Sequence, residues 1–216
     1  MPVDEDLRRL FSAALGVGGV LHSGSLLAPR DAGGVAAALR LADLHRVRLR
    51  LSSGGRLGSP PRPGGAVLSL SRLAALSADP ANGVARAEAG VSLADLTRTL
   101  AAAGLGVAGL GPRPQSRHVG ALVARGEIPR RSLTGIEACL AGGDLVDLGA
   151  SVLKDVVGYD LISVLLGARG RLAAVVSVHL RLAPAGAGLP TAAAGGGHDV
   201  GELEAVFDPH GILAGG

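Results

Sequence analysis

Aromatic residues and cysteine are scarce in this sequence of 216 residues. It contains no tryptophan, one tyrosine, two phenylalanines and a single cysteine, Cys139. One cysteine excludes an intramolecular disulfide and favours a reducing compartment. So few aromatic rings leave little on which nucleic-acid bases stack, which argues against a nucleic-acid-binding module. The core must therefore consist mainly of leucine, valine and alanine, and Cys139 is expected to pack within it.

Long apolar runs and a basic leader are also lacking. The longest uncharged stretch, 99–112, is too short and too rich in glycine to span a bilayer. The first six residues, Met-Pro-Val-Asp-Glu-Asp, are acidic where a signal peptide is basic. These features predict a cytoplasmic protein without a transmembrane segment.

Lysine is almost absent, since Lys154 stands against twenty arginines. The net charge is +3 and the isoelectric point is about 9.9, but the basic residues form no dense run. The hypothesis that the chain is a basic nucleic-acid-binding module is therefore supported only by its isoelectric point. The six histidines lack the spacing of metal ligands, so no metal site is predicted.

What the sequence has in abundance is glycine (35 residues) and periodic aliphatic segments. Helical spacing predicts helices over 4–15, 33–45, 92–103 and 160–166, with Asp31 capping the second and Ser92 the third. Alternation and aliphatic runs predict strands over 47–51, 66–70, 84–91 and 171–182, and a hairpin of 133–140 with 144–148. Residues 104–131 show little periodicity and are expected to be irregular.

A glycine loop, Ser53-Gly54-Gly55-Arg56-Leu57, follows the strand over 47–51. Glycines at a strand end let successive backbone N–H groups converge on an anion, to which Ser53 and Arg56 would add donors. A plain Gly-Gly turn explains the same residues equally well. No Gly-Lys-Ser/Thr follows, which excludes a P-loop.

The heptad Lys154-Asp155-Val156-Val157-Gly158-Tyr159-Asp160 contains the sole lysine and the sole tyrosine of the chain. Their joint appearance suggests a chemical requirement, although chance would give the same pattern. Within it, Asp155 or Asp160 is expected to fix a loop by accepting backbone N–H groups.

Together these segments resemble the FAD-binding domain of the p-cresol methylhydroxylase type, in the vanillyl-alcohol oxidase superfamily. Within that superfamily, the sequence resembles the FAD-binding subunits of glycolate oxidase and the related D-lactate dehydrogenases. The family's Lys-Asp/Asn-Val-Ala-Gly-Tyr-Asp motif is nearly intact at 154–160, and its Gly-Ser-x-Gly-Thr-Leu-Gly loop resembles 167–173. Its Ala-Gly-Val-x-Leu-x-Asp-Leu segment is intact at 89–96, and its C-terminal Asp-Pro-x-Gly-Ile resembles 208–212.

The resemblance implies a two-lobed α+β fold, with parallel strands in a small lobe and an antiparallel sheet in the second. The expected organisation is an N-terminal helix and linker (1–28), an FAD-binding domain (29–184, with lobes of about 29–111 and 112–184), and a linker with a C-terminal tail (185–216). FAD would lie between the lobes, its pyrophosphate at the glycine loop and its isoalloxazine over 119–121. The implied cofactor-binding residues are Ser53, Gly54, Gly55, Arg56, Leu57, Val119, Gly120, Ala121, Lys154, Asp155, Gly158, Tyr159, Asp160, Gly167 and Gly170.

Several residues depart from the family pattern. Ala121 and Ala173 replace glycines, Arg171 replaces a threonine, and a Tyr-Gly-x-x-x-Asp piece is missing from 124–137. The tail also follows the FAD domain after about 25 residues, where the family has a substrate (cap) domain. The cap is therefore expected to be absent.

The predicted function is an FAD-binding module of an oxidoreductase acting on a 2-hydroxy acid, with partner subunits supplying the substrate pocket. The alternative is a flavin-free relative that acts as a structural subunit. His118 is the candidate base or site of a covalent flavin link, against the simpler interpretation of a solvated loop histidine. Arg113 or Arg117 is the candidate for holding a substrate carboxylate.

Overall fold

A computed structural model describes residues 4–54, 64–110, 117–149, 160–186 and 200–214. Its helices are α1 (Glu5–Leu15), α2 (Ala32–Leu44), α3 (Leu93–Ala101), α4 (Val119–Ala124), α5 (Leu161–Leu165) and α6 (Gly201–Phe207). Its strands are β1 (Val20–Leu21), β2 (Leu26–Leu27), β3 (Leu49–Ser52), β4 (Ala66–Ser69), β5 (Leu76–Asp79), β6 (Val84–Glu88), β7 (Leu105–Val107), β8 (Leu133–Leu140), β9 (Leu145–Gly149), β10 (Ala173–Pro184) and β11 (Leu213–Ala214). They form two sheets.

The first sheet has the strand order β1-β2-β4-β3-β11. Strands β2, β4, β3 and β11 run parallel, and β1 pairs antiparallel with β2. All four residues of the central strand β4 are buried, as expected for a parallel strand covered on both faces. Helices α1 and α2 pack together, and their Phe11 and Leu39 join Leu49 of β3 in one apolar core.

The second sheet is antiparallel, in the order β5-β6-β10-β8-β9, and β7 pairs with the end of β10. Strands β8 and β9 form a hairpin in which Cys139 lies opposite Leu145. Helices α3 and α4 contribute Leu96, Leu100 and Leu122 to the core that covers this sheet.

Strand β10 connects the two cores because its side chains alternate between them. Ala173 and Val175 belong to the core of the second sheet, and Ala174 and Val176 to the core of the first. The two-lobed α+β architecture is confirmed. Since β5, β6 and β7 precede residue 111 yet join the second sheet, the lobe boundary proposed near that residue does not coincide with the division between the sheets.

Most local predictions are confirmed, including both helix caps. The Asp31 carboxylate accepts the Gly34 N–H at 2.7 Å, and Ser92 Oγ accepts the Asp95 N–H. Cys139 is fully buried, and burial raises the pKa of its thiol to about 12. The prediction that 104–131 is irregular was wrong for two parts of this segment, where β7 and α4 form. Both are too short to produce a periodic signal, and they are stabilised by distant partners.

Candidate functional site

A cavity of about 280 Å³ lies between the two lobes. It is bounded by the carboxyl end of β3, the residue after β4, helix α4, the turn between α5 and β10, and the beginning of β10. Ligands of α/β proteins bind at the carboxyl ends of parallel strands. The lining residues are Arg50, Leu51, Ser52, Ser53, Gly54, Leu70, Gly120, Ala121, Ala124, Arg125, Leu165, Ala168, Arg169, Gly170, Ala173 and Val175. Five of the predicted cofactor-binding residues are among them: Ser53, Gly54, Gly120, Ala121 and Gly170.

Gly54 lies against the imidazole of His118. Its φ of +140° is rarely adopted by other residues, and a Cβ at Gly54 would come within 2.5 Å of His118 Nε2. The backbone of His118 forms an isolated bridge with Ser92, immediately before α4. His118, the candidate base, therefore contacts a residue that lines the cavity but does not line the cavity itself.

Gly120 lies where three segments meet. A Cβ there would approach the Cβ atoms of Ala89 and Ser53 to 2.9 Å, and its N–H donates to the Ala89 carbonyl at 2.9 Å. A side chain would force these segments apart. The neighbouring Val119 instead points into the apolar core of the second sheet.

The turn between α5 and β10 is tied to α4 by its backbone. The Gly167 N–H donates to the Val123 carbonyl at 2.9 Å, and the Arg169 N–H donates to the Ala124 carbonyl at 2.7 Å. Gly170, with φ of +73°, packs against Leu51 of β3. The turn thus connects α4 to the strand that ends at the cavity.

Three arginines line the cavity, and sequence reasoning missed all of them. Arg50, Arg125 and Arg169 are isolated among twenty arginines, so composition did not single them out. The available signal was the alternation of β3, which places the half-buried Arg50 two residues before Ser52. Because none of the described lining residues is acidic, the cavity carries positive charge and suits an anion.

Other predicted residues have partners elsewhere. The Asp160 carboxylate accepts from Arg130 Nε at 2.8 Å and from the Ser163 N–H at 3.3 Å, so it caps α5. The Arg130 hydrogen bond outweighs burial and lowers the pKa of Asp160. Asp160 accepts a backbone N–H as expected, but that N–H belongs to Ser163 of α5 and not to a loop. Arg117 pairs with Glu127 rather than facing the cavity.

The remaining site predictions lie outside the described residues. They are Gly55, Arg56 and Leu57 of the glycine loop, Lys154, Asp155, Gly158 and Tyr159 of the heptad, and Arg113. Within the described ranges, no helix is long and apolar enough to cross a membrane.

A mainly parallel sheet and an antiparallel sheet that enclose a basic cavity define an α+β protein with a cleft suited to an anionic ligand. Comparison with known families then gives the specific assignment, because residues 25–154 match the model of the FAD binding domain. The chain belongs to this family, whose cofactor is FAD.

Curated relatives agree with the family match. The sequence is 28% identical over 173 residues to the glycolate oxidase subunit GlcD of Bacillus subtilis, covering 74% of this chain and 37% of that protein. It is 29% identical over 170 residues to the D-lactate dehydrogenase of Archaeoglobus fulgidus, covering 72% and 38%. It is 33% identical over 144 residues to an uncharacterized FAD-linked oxidoreductase of Mycobacterium tuberculosis, covering 61% and 31%. The chain therefore spans less than two fifths of the length of these relatives.

Solved structures share the fold. The structure of p-cresol methylhydroxylase with substrate bound superposes with a TM-score of 0.71 at 16% identity, covering 85% of this chain and 45% of that one. A glucose dehydrogenase variant of Phl p 4 superposes with a TM-score of 0.61 at 24% identity, covering 74% and 34%.

The residues at the cavity fit FAD. Arg50 Nε is buried and has no hydrogen-bond partner within the described residues, so a bound ligand with a suitable acceptor atom could satisfy this donor. The diphosphate of FAD has such acceptors. Gly54 and Gly120 also allow the segments of the cavity wall to pack closely, since a Cβ at either residue would collide with His118 or with Ala89 and Ser53.

Proposed function

We propose that this chain is the FAD-binding module of an oxidoreductase that oxidises a 2-hydroxy acid of the glycolate or D-lactate type. We further propose that a partner chain completes its substrate pocket. The observation that supports the module most directly is the cavity between the lobes, since residues 25–154 match the FAD binding domain and five predicted contact residues line it. The substrate class follows from the names of two relatives, a glycolate oxidase subunit and a D-lactate dehydrogenase.

The chain's own residues would hold and orient the cofactor. Ser53 and Gly54 are proposed to face the pyrophosphate, together with Gly55, Arg56 and Leu57. Gly120 and Ala121 would lie under the ring, which would face the lobe that contains the heptad 154–160. When bound, FAD supplies the capacity to accept a hydride from the carbon that bears the hydroxyl.

The proposal of a partner is supported by the lack of a proton-accepting side chain among the described lining residues. Oxidising a hydroxyl requires a group that takes its proton. The described lining residues include no histidine, carboxylate, lysine, tyrosine or cysteine. His118 lies against Gly54 and outside the lining, so the proton acceptor would come from the heptad 154–160 or from the proposed partner chain. One relative is itself named as a subunit.

The test is reduction of the bound cofactor under anaerobic conditions. The FAD-loaded chain and the complex purified with it from source cells are each mixed with glycolate, D-lactate or propionate, the last serving as a control without a hydroxyl. We expect the hydroxy acids to bleach the flavin absorption band of the complex, with little change in the isolated chain. A complex that no hydroxy acid bleaches would refute the substrate class. Equal bleaching of the isolated chain would refute the need for a partner.

One observation favours the alternative of a flavin-free structural subunit. Ala121 and Ala173, which replace family glycines, are both lining residues of the cavity, and each carries a methyl group that glycine lacks. If these methyl groups exclude FAD, the double variant Ala121→Gly/Ala173→Gly gains FAD binding that the unaltered chain lacks. If the unaltered chain binds FAD, this alternative is wrong.

A further inference from the structure

Three arginines from separate elements converge on the cavity. Arg50 lies on β3, Arg125 directly follows α4, and Arg169 lies in the turn between α5 and β10. Because the backbone N–H of Arg169 donates to the Ala124 carbonyl, the positions of Arg125 and Arg169 are fixed relative to each other. Arg169 also has φ of +54°, a conformation uncommon for a residue with a side chain.

These three charges have no counter-ion in the described part of the chain. Eight other arginines there form ion pairs with carboxylates, but Arg50, Arg125 and Arg169 form none. Arg50 Nε is buried without an acceptor, which costs free energy unless a ligand supplies one. The absence of acidic lining residues means that nothing in the described wall neutralises this charge.

We propose that Arg50, Arg125 and Arg169 form an arginine clamp for the diphosphate of FAD. The proposal rests on the proposed function, because it assigns a role to these residues in the same cavity. A guanidinium presents a planar fork of donors that matches phosphate oxygens in a bidentate geometry. Three such groups match the doubly charged diphosphate better than the single charge of a substrate carboxylate.

The clamp predicts how binding depends on the phosphate groups of the ligand. FAD carries the diphosphate, riboflavin carries the ring alone, and ADP carries the diphosphate without the ring. The full chain should bind ADP competitively with FAD, and glycolate should not displace FAD. Added salt should weaken FAD binding, because screening reduces the attraction between the guanidinium groups and the phosphates.

The test measures the affinity of each variant for FAD and riboflavin by flavin fluorescence. We expect Arg125→Gln and Arg169→Gln each to weaken FAD binding about tenfold or more, the loss typical of a charge-assisted hydrogen bond, with riboflavin affinity unchanged. Both side chains are exposed, so neither change disturbs the core. Arg50→Gln should also weaken FAD binding, and Arg169→Lys should lose less affinity for FAD than Arg169→Gln. Arg181→Gln is the matched control, since Arg181 is exposed on β10, outside the cavity lining.

The outcomes separate the clamp from the proposed function. If the unaltered chain binds FAD and the cavity variants bind it equally well, the proposed arginine clamp is refuted, but the proposed FAD-binding function is not. Equal losses for FAD and riboflavin, or an equal loss in Arg181→Gln, also overturn the clamp. If the chain binds ADP through these arginines but binds no FAD, the proposed function fails and the diphosphate site stands. Binding of neither ligand refutes both.

Discussion

The contact between Gly54 and His118 shows how a single missing side chain determines the local geometry of the cavity. The backbone of Gly54 adopts a φ of +140°, and the imidazole of His118 occupies the position that a Cβ would need. Two separate costs therefore accompany any substitution at this residue: backbone strain and displacement of the histidine.

We predict that Gly54→Ala destabilises the fold by more than the ~1–3 kcal/mol of backbone strain alone. The matched control is Gly104→Ala, because Gly104 also has positive φ (+69°) but has no neighbouring atom within 4 Å of an added Cβ. Urea denaturation of both variants provides the comparison. Equal losses in the free energy of unfolding of the two variants would show that the contact with His118 does not affect stability.

At the scale of residues, the sequence predicted the small residues of the cavity better than its charged ones. Ser53, Gly54, Gly120, Ala121 and Gly170 belong to recognisable motifs, and all five line the cavity. Arg50, Arg125 and Arg169 belong to no motif of their own, and their importance comes from converging in space. Only the tertiary structure reveals that convergence.

Helix capping is the clearest case of local sequence specifying an element. Asp31 and Asp4 both precede helices, but only Asp31 accepts a backbone N–H with its carboxylate. We predict that Asp31→Ala lowers the free energy of unfolding by about 1 kcal/mol. Asp4→Ala, which removes the same side chain from the corresponding position of α1, should have a much smaller effect. Chemical denaturation tests both, and equal effects would contradict the assigned cap.

The cap of α5 should make stability depend on pH. Because the hydrogen bond from Arg130 lowers the pKa of Asp160 in the folded state, the carboxylate stabilises the fold above its ordinary pKa of about 3.9. That contribution is lost as the pH falls through the lowered folded-state pKa. Asp160→Asn should therefore be less stable than the unaltered chain at neutral pH, and the difference should shrink toward pH 3, below the ordinary pKa. A difference that stays constant across this range would contradict the assigned ion pair.

Elements with strong local patterns were predictable, and those defined by distant partners were not. Strand β10 and the β8–β9 hairpin carry aliphatic runs and a glycine turn. Strand β5 exposes most of its residues, and β11 has only two, so neither shows an alternation. Helix α4 has six residues, too few for a helical period to emerge. Each of these exists because a neighbouring strand or core provides its hydrogen bonds or its apolar contacts.

At the scale of the whole molecule, the segment after α6 packs back onto the first sheet. The buried Asp208 carboxylate accepts the N–H groups of Ile212 and Leu213 at 2.9 and 2.7 Å. Leu213 then pairs with Leu49 of β3, the strand that leads to Ser53 and Gly54. This segment thus extends the sheet that positions the cavity.

We predict that Asp208→Ala destabilises the whole fold by about 2–4 kcal/mol, because two buried N–H groups lose their acceptor. Since β10 contributes to both cores, thermal unfolding should remain a single transition at a lower temperature. Glu202→Ala, on the exposed face of α6, is the control. Separate melting of one lobe in the Asp208 variant would show that the two cores are not coupled.

The cavity between the two lobes is expected to bind FAD, and the visible spectrum of the purified protein tests this most directly. The full chain is incubated with FAD, freed of excess cofactor by gel filtration, and its spectrum recorded. We predict a yellow protein that retains the absorption band of oxidised flavin in about equimolar amount. A protein that elutes colourless after this treatment would contradict the claim.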